Sequence, residues 1–126
     1  MALANLPNYR ASGSYAPSVV TVANLSAATL VGGMFWSIGN VVNARALIDL
    51  DPIAAGQCSF RLSLPIGRQI AAEVDILGSG GVKDQGSIGW GLTVVGDPAT
   101  NEALANFESS STTAGQVVVD FAYIMP

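Results

Sequence analysis

Apolar and polar positions alternate with a period of two along much of this chain, and the 3.6-residue period of an amphipathic helix is almost absent. Alternation is clearest near the C-terminus. There Val117, Val119, Phe121 and Tyr123 face one way, and Val118, Asp120, Ala122 and Ile124 the other. A second alternating run places Val42, Ala44, Ala46, Ile48 and Leu50 on a wholly apolar face, opposite Asn43, Arg45, Leu47 and Asp49. That apolar face is predicted to meet the core. Between Ile38 and Val41 stands Gly39-Asn40, two residues suited to a tight hairpin. Glycine first fits a type II′ turn, whose twist matches paired strands.

The same reading gives strands at 17–23, 29–38, 41–50, 57–64, 70–77, 88–95, 101–109 and 116–124. Pro17 suits the first position of a strand, and Asp51-Pro52 and Gly96-Asp97-Pro98 are expected stops. Residues 24–27 are expected to turn, and Phe60, Leu62 and Leu64 to point inward. The clusters Gly78-Ser79-Gly80-Gly81 and Lys83-Asp84-Gln85-Gly86 read as loop. The fold class expected is all-β, an antiparallel jelly-roll-like sandwich of about eight strands. Residues 1–14 form an N-terminal arm or lead-in, and residues 15–126 a single β-sandwich domain.

Three strands are apolar on both sides: 29–38, 88–95 and 117–124. An isolated sandwich shows polar residues on its outer faces. Phe35 and Trp36 are adjacent, so their rings leave opposite faces of one strand and one of them needs a second cover. Composition sharpens this point. Half the residues are hydrophobic and 11% are charged, against roughly 25% charged in ordinary domains. Too few charges exist to clothe a monomer, which predicts a large interface between copies of the chain.

Charge and residue counts limit the chemistry. Histidine is absent, so histidine catalysis and histidine metal sites are excluded. A net charge of −4 with five basic residues argues against nucleic acid as a partner. Asn24, Ser26, Thr29, Gly32, Gly33, Ser37 and Asn40 interrupt the long charge-free stretch 11–44, so no membrane partner is expected. Cys58 has no second cysteine to pair with and reads as a small buried side chain. Asp49 with Asp51, and Glu73 with Asp75, have the spacing of paired carboxylates, but ordinary charge at strand ends accounts for them. Catalytic, metal and cofactor residues are all expected to be none. Trp36 and Trp90 are candidates for a sugar-stacking platform, or for core or interface packing.

Short motifs recur in a particular order: Tyr15-Ala16-Pro17, Val22-Ala23-Asn24-Leu25-Ser26-Ala27, Ile38-Gly39-Asn40-Val41-Val42, Asp51-Pro52, Leu62-Ser63-Leu64-Pro65-Ile66 and Phe121-Ala122-Tyr123-Ile124. In this order and spacing the sequence resembles a family of small β-domains of tailed bacteriophages. The resemblance implies a trimeric, jelly-roll-like virion domain. Such domains serve as capsid decoration or cement proteins and as tips of tail fibres and spikes. Phe35-Trp36 and Ile66-Gly67-Arg68-Gln69 depart from the family pattern, so no ligand residues are carried over.

The function expected is therefore a non-enzymatic decoration protein on the capsid exterior, made in the host cytoplasm and bridging major capsid protein subunits. A short chain opening on its own Met1, without a shaft, favours this reading. Ala2, Leu3, Leu6, Tyr9, Arg10 and Tyr15 are the expected capsid contacts. Phe35, Trp36, Trp90, Phe121 and Tyr123 are expected at a subunit interface or in the core. The alternative is a fibre or spike tip whose partner is a host surface glycan.

Overall fold

The computed structural model describes residues 10–85, 91–110 and 112–126, and for Arg10 and residues 82–85 the backbone alone. The described strands are β1 (Arg10–Ser14), β2 (Val19–Ala23), β3 (Leu25–Ile38), β4 (Val41–Pro52), β5 (Gly56–Leu62), β6 (Ile76–Gln85), β7 (Gly91–Asp97), β8 (Glu102–Ser109) and β9 (Gly115–Ile124). They form one nine-stranded sheet in the order β1-β3-β4-β9-β6-β7-β8-β5-β2. Every pairing is antiparallel. The sheet curls into a half-barrel, and its last strand, β2, returns beside β3. The all-β antiparallel class is as the alternation predicts, with nine strands where about eight were expected.

The hollow of the curl is the core. On β4 the alternation is complete: Val42, Ala44, Ala46, Ile48 and Leu50 are buried, while Arg45 and Asp49 are exposed. On β9, Val117, Val119, Phe121 and Tyr123 are buried, as the C-terminal pattern predicts. Phe60 and Leu62 lie fully inside, and Leu64 packs against them. Edge-on ring pairs pack in the core: the Tyr15 and Phe121 rings are 6.3 Å apart at 74°, and Phe60 and Phe107 are 6.4 Å apart at 67°. The hairpin between β3 and β4 has positive φ at Gly39 (61°) and ordinary φ at Asn40, which fits the type II′ turn. The segment 101–109, read as strand, is β8.

Three expectations are corrected. The turn at 24–27 is a single residue. Asn24 takes φ 60°, a left-handed conformation that asparagine tolerates better than most residues. Reversing in one step frees Leu25 and Ala27 to pair with Pro52 and Asp51. The segment 70–77 is a strand only at its end. Residues 63–72 lie outside the strands, followed by a 3-10 turn at Glu73–Asp75. There side chains replace a ladder partner. Tyr15 Oη donates to Ser63 O, Asn101 Oδ1 accepts from Ile70 N–H at 2.9 Å, and Asp75 accepts from Ala71 N–H at 2.8 Å.

Residues 78–81, read as loop, lie inside β6 between β7 and β9. The glycines there serve close approach rather than turning. A Cβ on Gly78 would stand 2.1 Å from Asp120 O, and one on Gly80 would stand 2.1 Å from Val118 O. Only glycine lets β6 come this near to β9.

Candidate interaction face

The convex outer face of the sheet carries the chemistry that the core does not use. β-Pairing sets its rows. Met34, Arg45, Asp120, Ser79 and Thr93 lie across β3, β4, β9, β6 and β7 in one row. Beside it run Trp36, Asn43, Ala122, Leu77 and Val95. Nearest the β3–β4 hairpin the row is Ile38, Val41 and Ile124. This end is strongly apolar. Leu77 is 58% exposed, Ile124 55%, and Val74, on the 3-10 turn beside them, 72%. With Val41, Arg68 and Asp75 they line a recess of about 400 Å³. On the other side of Arg45, a recess of about 410 Å³ is lined mainly by Val31, Gly32, Met34, Leu47 and Val118.

Between the two apolar regions sits a polar centre. Arg45 Nε donates to Asp120 Oδ1 at 2.6 Å, and the Arg45 guanidinium lies 5.9 Å from the Trp36 ring centroid. Trp36, Asn43, Arg45, Leu77, Ser79 and Asp120 help line a shallow cleft of about 330 Å³. Because Phe35 packs toward the core, its neighbour Trp36 is sent outward, as their adjacency predicts.

The expected capsid contacts fare differently. Ala2, Leu3, Leu6 and Tyr9 lie outside the described residues, and of Arg10 only the backbone in β1 is described. Tyr15 is a correction. It is 4% exposed, its ring meets Phe121 and its hydroxyl donates to Ser63 O, so it is a core residue and offers no outward contact. The Gly33 carbonyl, which accepts from Tyr15 N–H at 3.0 Å, draws this residue inside. Burial raises the Tyr15 hydroxyl pKa far above the ordinary tyrosine value. Of the expected interface or core group, Phe121 and Tyr123 are core, their rings stacked at 6.3 Å and 21°. Trp90 lies outside the described residues.

Tyr123 Oη donates to Ile66 O at 2.6 Å and accepts from Ile66 N–H at 3.0 Å. Burial pushes its pKa up to about 12. Arg68 joins the same end of the sheet, donating to Ile124 O at 2.7 Å and meeting Asp75 at 3.4 Å. The Ala71 N–H, then the Ala72 N–H, and the nearby Arg68 charge hold the Asp75 carboxyl below its usual range. Asp75 therefore anchors a turn. Asp49 and Asp51 share the exposed side of β4. Cys58 is fully buried, with Asn24 Nδ2 donating to its sulfur at 3.3 Å, and burial raises its thiol pKa. Among the described residues no group of three histidine, cysteine or acidic side chains is placed to hold a metal ion. No described helix is long and apolar enough to cross a membrane.

The sequence matches no protein-family model and no curated protein. The fold places the chain among all-β architectures built on a curled antiparallel sheet. In particular, it is similar to part of the Dettilon tailspike protein, with a TM-score of 0.56 and 12% sequence identity. The similarity covers 92% of this chain and 24% of the tailspike chain, so the chain spans about a quarter of that protein's length. At this identity the likeness is one of fold.

Proposed function

We propose that the chain is a non-enzymatic structural protein of a tailed-bacteriophage particle that decorates the capsid exterior and stabilises the head by bridging capsid subunits. In this reading it assembles as a jelly-roll-like trimer. One observation carries it: the outer face leaves Val74, Leu77 and Ile124 more than half exposed on a chain with only 11% charged residues. Contiguous apolar surface of this kind marks a protein contact. The mechanism is mechanical. Burying such side chains between neighbours removes apolar area from water, and each fully buried valine, leucine or isoleucine contributes about 1.5–3 kcal/mol. The sequence resemblance to phage virion domains and the tailspike-like fold both weigh toward a phage particle.

A second reading is the tip of a tail fibre or spike that recognises a host surface glycan. The similarity to part of a tailspike favours it, as does an outward tryptophan beside polar side chains. Cryo-electron microscopy of the intact virion, with an antibody fragment raised against this chain, separates the two. Label at symmetric positions over the shell is the expected result. Label confined to the tail overturns the decoration reading in favour of the second. A particle carrying no label overturns both.

A further inference from the structure

We infer that the cleft beside Trp36 is a binding site for a neutral pyranose saccharide. This deepens the glycan reading by naming the site and the ligand class. The cleft joins an indole and polar side chains in a shallow recess of about 330 Å³, whereas the recess beside Met34 is almost wholly apolar and the one beside Ile124, which Arg68 and Asp75 also line, holds no tryptophan. Sugars present two kinds of surface: a C–H face, which packs on an aromatic ring, and hydroxyls, which need donors and acceptors. The cleft supplies both. Trp36 provides the ring. Asn43 offers an amide with donor and acceptor ends, Ser79 a hydroxyl, Arg45 further N–H donors and Asp120 a second carboxylate oxygen.

Charge selects within this class. Arg45 and Asp120 are paired at 2.6 Å, so the cleft carries no net charge from them. A phosphate or uronate would face Asp120, and an ammonium would face Arg45. A neutral ligand meets neither repulsion and leaves the ion pair intact. The pair also holds the guanidinium 5.9 Å from the Trp36 ring centroid. The guanidinium thus stands over part of the ring, with its remaining donors at the cleft. The backbone beneath is held in paired strands, Trp36 with Asn43 in the β3–β4 ladder and Asp120 with Ser79 in the β6–β9 ladder.

The test is a titration of the ¹⁵N-labelled full chain with maltotriose, cellotriose, mannotriose and chitotriose, followed by the indole N–H signals. Tryptophan occurs at two positions, so Trp36→Tyr identifies the Trp36 signal by its loss. At least one trisaccharide is expected to shift that signal saturably in the millimolar range. Ser79→Tyr, a change at an exposed position that fills the cleft, should weaken the response at least about tenfold. Trp36→Tyr, which keeps a ring, should retain binding read from the Asn43 side-chain amide. A Trp36 signal unmoved by all four sugars overturns the inference, including where self-association covers the cleft. A shift undiminished by Ser79→Tyr overturns it too. Neither outcome alters where the chain sits on the particle, which the antibody label reads separately.

Discussion

Asn24 shows how much one side chain can organise. Its left-handed backbone ends β2 and starts β3, and its carbonyl accepts from Ile53 N–H at 3.0 Å. Its amide donates to Ala54 O at 2.8 Å and accepts from Ala54 N–H at 3.1 Å. Replacement separates the two contributions. Asn24→Gly keeps the backbone conformation and loses the side-chain bonds, for a cost of about 1–2 kcal/mol. Asn24→Ala loses the bonds and adds left-handed strain of about 1 kcal/mol, so it should be the less stable of the two. Urea denaturation of both variants checks the order, and equal stabilities would remove the backbone contribution. The sequence placed a turn here, but composition could not show that one residue suffices. Tyr15 was harder to read. Its neighbours are small and polar, and only the long-range contacts with Gly33, Ser63 and Phe121 draw it inward.

At the scale of elements, alternation made β4 and β9 legible, because one face of each is buried throughout. It failed at β6, where glycine normally signals a loop. Strand β6 needs glycine for a different reason: on its inner side a Cβ has no room beneath β9. The contrast gives a direct experiment. Gly78→Ala and Gly80→Ala must displace backbone oxygens, and each should cost about 2–4 kcal/mol in thermal or urea unfolding. Gly32→Ala, in β3, meets nothing within 4 Å and should leave stability unchanged or slightly raised. Equal effects at all three positions would show that close approach is not what holds glycine in β6. At the two ends of the linking segment 63–72, residues 63–64 and 70–72 read as strand but are not, for a related reason. The segment's partners are the tyrosine hydroxyls and the Asn101 and Asp75 side chains, which no local pattern displays.

For the whole molecule, the two-sided apolarity of the sequence reappears as a curled sheet with a filled hollow and an outer face that stays partly apolar. The hollow was legible because the buried residues of β4, β7, β8 and β9 recur every second position. The outer site was legible only in part. Adjacency of Phe35 and Trp36 announced that one ring would face outward, whereas the meeting of Trp36 with Arg45, Ser79 and Asp120 depends on the β3-β4-β9-β6 order. The central claim is that the apolar end of this outer face, around Val74 and Ile124, is covered by a neighbouring subunit. Sedimentation equilibrium of the purified chain tests it most directly, alongside Val74→Asp/Ile124→Asp, a double change at exposed positions. The account predicts a wild-type mass that is a multiple of 12.9 kDa and a variant that sediments as a folded 12.9 kDa monomer. A wild-type chain that stays at 12.9 kDa at every concentration would contradict it.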